Sequence, residues 1–241
     1  MIPKIIHYFW FGSKQKPDVF QKCFNSWKKF ASDYEIKEWN YDNFEFKDNK
    51  FFKEAYENKK YAFCCDVARI LVLQKYGGVY LDVDVELVKP IDDLLKYDFF
   101  GGRDERDMFN TGEGFGCIPN HPYLNTMLLQ YEKFILDGGA TDEVPCPTKN
   151  EKSISDLGFS KKTEVEIIEN NIMLPKEYMC PICFEKNDNY FCEKTYSIHH
   201  YSGSWRTRRA IINFKLKKGE KLTLLEKIIY FLQRVKQKLK L

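Results

Sequence analysis

Apolar and polar residues alternate along the chain in short blocks that change period. Residues 5–11, an unbroken run of Ile5, Ile6, His7, Tyr8, Phe9, Trp10 and Phe11, predict a buried strand ending at Gly12. Residues 17–30 place Val19, Phe20, Cys23, Phe24 and Trp27 at helical spacing, and residues 34–39 alternate as a second strand. Residues 48–58 predict a polar helix. Residues 61–76 predict a stronger one, with Phe63, Val67, Ile70, Leu71 and Val72 on its apolar face and Gly77-Gly78 as its stop. Residues 79–88 alternate again: Val79, Leu81, Val83 and Val85 fall on one face, Tyr80, Asp82, Asp84 and Glu86 on the other, before Pro90. Strands are expected at 97–102, 114–118, 167–174 and 196–200, and helices at 123–136 and 224–239. Residues 137–165 read as polar loop. Strands alternating with helices predict α/β layers.

Composition refines this picture. A chain of 241 residues with 44% hydrophobic and 30% charged residues has the balance of a globular protein and can bury a sizeable core without staples. No apolar run approaches the roughly 20 residues a membrane span needs. The start, Met1-Ile2-Pro3-Lys4, lacks the layout of a signal peptide, so a cytoplasmic location is expected, with the eight cysteines as thiols. Charge is uneven. From Arg206 onward twelve basic side chains face Glu220 and Glu226, an excess of ten positive charges; the overall +3 leaves the remainder seven negative. Leu225, Ile228, Ile229, Leu232, Val235 and Leu239 share one face of the terminal helix. A basic amphipathic helix suits the inner face of an anionic membrane better than nucleic acid, because the candidate site itself is acidic.

The candidate chemistry centres on Asp82-Val83-Asp84. Carboxylates at i and i+2 of an extended chain project to one side and repel, and a divalent cation resolves that repulsion while gripping a diphosphate. Asp66 and Arg69 leave one helix face at i and i+3, with Arg69 inside an apolar run, so the charge needs a partner. An internal ion pair and a shared polar ligand are both open for them. Cys180-x-x-Cys183 has zinc spacing but lacks a clear set of four ligands, so it reads as a structural turn. Asp104, after a strand-like Phe99-Phe100-Gly101-Gly102, is a further carboxylate that could approach a reacting carbon.

Four blocks, residues 2–12, 62–69, 76–84 and 199–205, together resemble the small retaining glycosyltransferases that share a DXD sugar-binding region, including yeast-type initiating mannosyltransferases and bacterial capsular polysaccharide enzymes. Clostridial glucosylating toxins are a more distant likeness. The resemblance implies a GT-A (nucleotide-diphospho-sugar transferase) fold of one mixed sheet flanked by helices, over residues 1–205, followed by a basic extension, 206–241, with its amphipathic helix. It further implies a nucleotide-sugar donor, with UDP-hexose favoured, Mn2+ or Mg2+, and a glycan or lipid-linked oligosaccharide acceptor. Asp66, Arg69, Asp82 and Asp84 are the expected catalytic residues. Trp10, Asp66, Arg69, Asp82, Asn110 and Trp205 are expected to hold the donor, and Asp82, Asp84 and His200 the metal, with His200 preferred to His199. Cys64-Cys65 stand where a serine often precedes the aspartate, which puts support for Asp66 in question. Two other classes stay open: a haloacid-dehalogenase-like phosphohydrolase, from Leu81-Asp82-Val83-Asp84-Val85, and a non-catalytic membrane-associated scaffold.

Overall fold

The structure, a computed structural model, describes residues 1–12, 15–132, 146–160, 162–183, 188–202, 212, 215–216, 219 and 221–238. Its centre is a mixed sheet of seven strands in the order β2-β1-β3-β6-β5-β8-β7. These strands are β1 (Ile5–Phe9), β2 (Glu35–Trp39), β3 (Gly78–Tyr80), β5 (Phe99–Gly102), β6 (Phe115–Cys117), β7 (Glu166–Ile168) and β8 (Asn171–Leu174). β1 runs parallel to β2 and β3, and β5 parallel to β8, while β6 lies antiparallel between β3 and β5. Two small ribbons stand beside this sheet: β4 (Val85–Leu87) with β11 (Ser197–His199), and β9 (Ile182–Cys183) with β10 (Asp188–Asn189).

Period-two alternation divides the core between the two faces. Phe9, Tyr80, Phe99, Phe115 and Met173 join α2 (Lys50–Glu57), α3 (Tyr61–Tyr76) and α4 (Pro122–Glu132) in one cluster. Ile6, Tyr8, Val79, Leu81, Phe100 and Ile172 join α1 (Phe20–Phe30) in the other. The result is an α/β/α sandwich of GT-A-like architecture. α1 also anchors β4, because the buried Trp27 Nε1 donates to Val85 O at 2.8 Å and Ser26 Oγ accepts from Leu87 N at 2.9 Å.

Two expectations change. The predicted strand over 79–88 is two strands separated by a turn, in which Val85 N donates to Asp82 O at 3.0 Å. The predicted loop over 137–165 contains helix α5 (Cys146–Asp156). That helix has few apolar residues and packs through polar groups: Asn150 Nδ2 donates to Thr111 Oγ1 at 2.9 Å, and Glu151 Oε2 accepts from Arg103 Nη1 at 2.9 Å and from Phe109 N at 2.8 Å. The helix α6 (Lys176–Met179) and α7 (Leu224–Lys238) complete the described elements.

His7 ties β1 to its surroundings. Trp39 Nε1 donates to His7 Nδ1 at 3.1 Å, which fixes the ring proton on Nε2, and Nε2 donates to Gly77 O at 3.0 Å. Gly77 (φ +64°) and Gly78 (φ +97°) take backbone conformations that favour glycine, and a β-carbon on Gly78 would stand 3.0 Å from His7 Nε2. Burial pushes the His7 imidazole down to about 4. The folded chain therefore refuses a proton that the unfolded chain accepts below about pH 6.5. Its stability is whole above that pH and is lost as pH falls towards 4, by up to about 3 kcal/mol. Urea unfolding midpoints at pH 7 and pH 4.5 should show this loss, and His7→Gln, which cannot titrate, should show a smaller drop between the same two pH values.

Candidate active site

The site forms where α3, the turn after β3 and the β4–β11 ribbon meet. α3 presents Asp66 and Arg69 from one face, both buried, with Arg69 Nη2 donating to Asp66 Oδ1. Arg69 Nε caps the carbonyl of Cys65 at 3.0 Å, and its guanidinium lies 4.8 Å over the Tyr80 ring. Its remaining arm, Nη1, is 3.7 Å from Asp82 Oδ1 and makes no hydrogen bond among the described residues. The internal pair is formed: one arm of Arg69 serves Asp66, while the other is held out toward Asp82.

Asp82 and Asp84 end on the same side despite the turn between them, and both face His199. His199 Nε2 is 3.2 Å from Asp84 Oδ1 and 4.0 Å from Asp82 Oδ2. Single ligand atoms of Asp82, Asp84 and His199 all lie within 4.8 Å of one another. His200, the ligand preferred from the sequence, is placed elsewhere. Its Nε2 meets Glu86 Oε2 at 2.8 Å instead. Continued strand pairing would set His200 opposite Asp84; instead β11 ends at His199 and β4 begins at Val85, so Asp84 lies in the turn, where side-chain direction no longer follows strand alternation, and it meets His199.

The electrostatics show a site short of positive charge. Burial lifts the Asp82 carboxyl above the ordinary aspartate range, and Asp84 adds to that lift against the pull of Arg69 and His199. Burial acts on Asp84 in the same direction, but the charge and hydrogen bond of His199 and the Ser202 N–H, at 2.7 Å, hold it well below that range. Burial alone would lower His199; Asp84, Asp82 and Glu113 raise it to about 9. Two carboxylates and one imidazole, already converging, are a donor set that fits Mn2+ or Mg2+, with carboxylate oxygens as the common requirement.

The turn at 110–113 closes one side. Asn110 caps it by accepting from Gly112 N at 2.9 Å. A β-carbon on Gly112 would stand 2.8 Å from Asp82 Oδ2 and 3.2 Å from Arg69 Nη1, so this backbone packs directly on the acidic pair. Asn110 itself is buried and donates to Glu113 Oε1 at 3.1 Å. Trp10 is half-buried at the end of β1, packed against the α1-side cluster, with its backbone amide donating to Trp39 O at 2.8 Å. Trp205 lies outside the described residues. Asp104 is buried and turned onto Arg106, which donates to Oδ2 at 2.7 Å, and onto the amides of Arg106 and Met108. Its carboxylate is thereby occupied in a loop. Cys180 Sγ faces Tyr201 OH at 3.0 Å, in keeping with a structural role. Sequence reasoning missed Glu113 and Tyr201. Glu113 lies outside the matched blocks, and only the fold brings it to this corner; Tyr201 lies within the block 199–205, where no local pattern marks it out as a partner of Glu113.

Residues 17–100 match the model of the glycosyltransferase sugar-binding region containing a DXD motif, a segment that runs from just before α1 through β5 and includes Asp66, Arg69, Asp82 and Asp84. The chain is 28% identical to an uncharacterized glycosyltransferase of Acanthamoeba polyphaga mimivirus, over 85% of this chain and 84% of that one. It is 31% identical to inositol phosphoceramide mannosyltransferase 3 of Schizosaccharomyces pombe, over 55% of this chain but only 38% of the fungal protein. Among solved structures, the PaToxG glycosyltransferase superposes with a TM-score of 0.52 at 18% identity, covering 65% of this chain and 69% of that one, a likeness of fold. The matched region is that of sugar transfer, which does not favour the phosphohydrolase reading.

Proposed function

Because this chain carries a DXD-type glycosyltransferase sugar-binding region on a GT-A-like fold, we propose that it transfers a hexose from a UDP-hexose to a hydroxyl of a glycan or lipid-linked oligosaccharide, with retention of configuration. The observation that carries this reading is the convergence of Asp82, Asp84 and His199 next to the arm of Arg69 that makes no hydrogen bond among the described residues. Mn2+ or Mg2+ held by those three side chains would neutralise the diphosphate as it leaves the sugar. Arg69 Nη1, buried and charged, donates to a diphosphate or sugar oxygen brought beside Asp82. Asp66, held by the other arm of Arg69, accepts from a sugar hydroxyl. Trp10, at the mouth of β1, offers a ring face to the base. Retention is inferred from the family likeness, and same-face attack, with the leaving phosphate oxygen taking the acceptor proton, needs no protein nucleophile.

The direct test is to incubate the protein with UDP-hexoses, Mn2+ and simple glycosides, and to follow UDP release and the anomeric signals of the product by NMR. UDP release with an axial product from an axial donor supports the reading. An inverted product removes the retaining mechanism, and phosphate release from sugar phosphates without turnover of any nucleotide-sugar removes the transferase.

The acceptor proposal extends to a membrane surface. α7 begins with a capping box, in which Thr223 N donates to Glu226 Oε2 at 2.8 Å and Glu226 N to Thr223 Oγ at 3.3 Å. Leu224, Leu225, Ile228 and Phe231 on it are exposed, Leu224 by 77% and Phe231 by 66%. Among the described residues no helix is long and apolar enough to cross a membrane. An uncovered apolar stripe in a segment with ten excess positive charges suits an anionic bilayer in plane. In co-sedimentation, the protein should bind phosphatidylserine-containing vesicles and not phosphatidylcholine vesicles, and Leu225→Glu/Phe231→Glu should abolish binding. Equal binding to neutral vesicles or by that variant would contradict this.

A further inference from the structure

One well-connected residue beside the acidic pair is not used by the transfer reaction as drawn. Tyr201 has φ +49°, a left-handed conformation that a bulky residue keeps only where its surroundings over-determine it. Its contacts supply that constraint from three directions. The ring stacks on His199 with centroids 4.1 Å apart and planes at 29°. The hydroxyl donates to Glu113 Oε1 at 2.8 Å, and Cys180 Sγ lies 3.0 Å from the same oxygen. The left-handed bend sends the chain back across the site, so that the next residue, Ser202, gives its N–H to Asp84 Oδ2. One residue earlier, His200 N donates to Asp84 O at 2.9 Å.

Glu113 is the other half of the arrangement. It is fully buried, on the turn whose Gly112 packs against Asp82 and Arg69. Its Oε1 takes hydrogen bonds from Tyr201 and from Asn110 Nδ2, while Oε2 has no hydrogen-bond partner among the described residues. A buried carboxyl is costly to place, and here its bonded oxygen joins the segment that carries His199 to the turn that carries Asn110.

We propose, resting on the function proposed above, that Tyr201 and Glu113 are positioning residues: the Tyr201–Glu113 bond fixes His199 and the Ser202 amide on Asp84 and links that corner mechanically to the Asn110–Gly112 turn. Cation binding at Asp82, Asp84 and His199 and nucleotide-sugar binding beside Gly112 and Arg69 are thereby coupled. Loosening the latch costs His199 its orientation without removing any atom that touches the cation. Partners that orient a metal-ligating histidine typically set affinity by 10- to 100-fold.

Mn2+ affinity, measured by isothermal titration calorimetry with and without UDP, separates this from a purely structural role. Tyr201→Phe keeps the ring stack and deletes the hydroxyl. It should weaken Mn2+ binding by about 10-fold or more and reduce the gain in Mn2+ affinity that UDP confers on the wild type, at a temperature where both proteins are folded. Glu113→Gln keeps an amide oxygen to accept from Tyr201 and should lie nearer the wild type than Glu113→Ala. Should Tyr201→Phe only lower the melting temperature, with Mn2+ affinity and its UDP dependence within twofold of wild type, the positioning role is wrong. No Mn2+ binding by the wild type would remove the proposed function and this inference together. Normal wild-type binding with an unaffected variant would remove this inference alone.

Discussion

Replacing Asp84 by alanine is expected to lower sugar transfer by at least about 100-fold, the scale on which loss of a preorganised charge contact to a leaving group is felt. Three features concentrate that effect in one carboxylate. Asp84 is held ionised by His199 and by the Ser202 amide, so it is the more reliable negative charge of the acidic pair. It is buried, so its charge is screened weakly by water. It is also the group on which the β4–β11 ribbon closes, because the amides of His200 and Ser202 both end on this residue. Asp84→Asn separates charge from shape: it keeps an acceptor for Ser202 and should retain the fold while losing most of the activity. Equal activity in Asp84→Asn and wild type, measured as UDP release with Mn2+ at saturating donor, would contradict the assignment.

Arg69→Leu should produce the largest loss of stability. Arg69 is almost fully buried against the Tyr80 ring, and its charge is matched by Asp66 and, at longer range, by Asp82. Truncating one member of a buried ion pair leaves the other uncompensated, at a cost of about 3–5 kcal/mol. In a chain of this length that is a fall in melting temperature on the order of 10 °C. Asp66 and Asp82 would then lose the guanidinium that lies between them. Arg69→Lys should recover part of the stability but little of the activity, because an ammonium cannot serve Asp66, the Cys65 carbonyl and a ligand with separate arms. Differential scanning calorimetry and the same UDP-release assay read the two effects apart. A melting temperature unchanged in Arg69→Leu would show that the pair is not buried as described.

The parts of this site that were legible in the sequence are those where spacing alone dictates direction. Asp66 and Arg69 at i and i+3 on α3, and the hydrophobic alternation that places Val79, Leu81, Val83 and Val85 in one core cluster, follow from helix and strand periods. The layers and most strands follow from the same logic. What the sequence does not display is register and polar packing. His199 and His200 are neighbours with identical chemistry; strand alternation alone would set His200 on the face of Asp84, and the turn that holds Asp84 outside β4 brings it to His199 instead. α5 escapes hydrophobic periodicity because it docks through Asn150 and Glu151 on Thr111, Arg103 and Phe109 rather than through an apolar stripe. Glu113 and Tyr201 are separated by 88 residues, and no local pattern joins them. The break between β3 and β4 is of the same kind. Val79 to Val85 alternates as one strand would, yet the turn at Asp82 stops the ladder and lets β4 leave the main sheet to pair with β11.

The central claim is that a divalent cation is held where Asp82, Asp84 and His199 converge. Electron paramagnetic resonance counts free Mn2+ directly during a titration of the protein in the presence of UDP. One tightly held ion per wild-type chain is expected, retained in His200→Ala and lost in His199→Ala and Asp84→Asn. A wild-type protein that leaves all Mn2+ free, or one whose ion is lost with His200 and kept with His199, would contradict the claim.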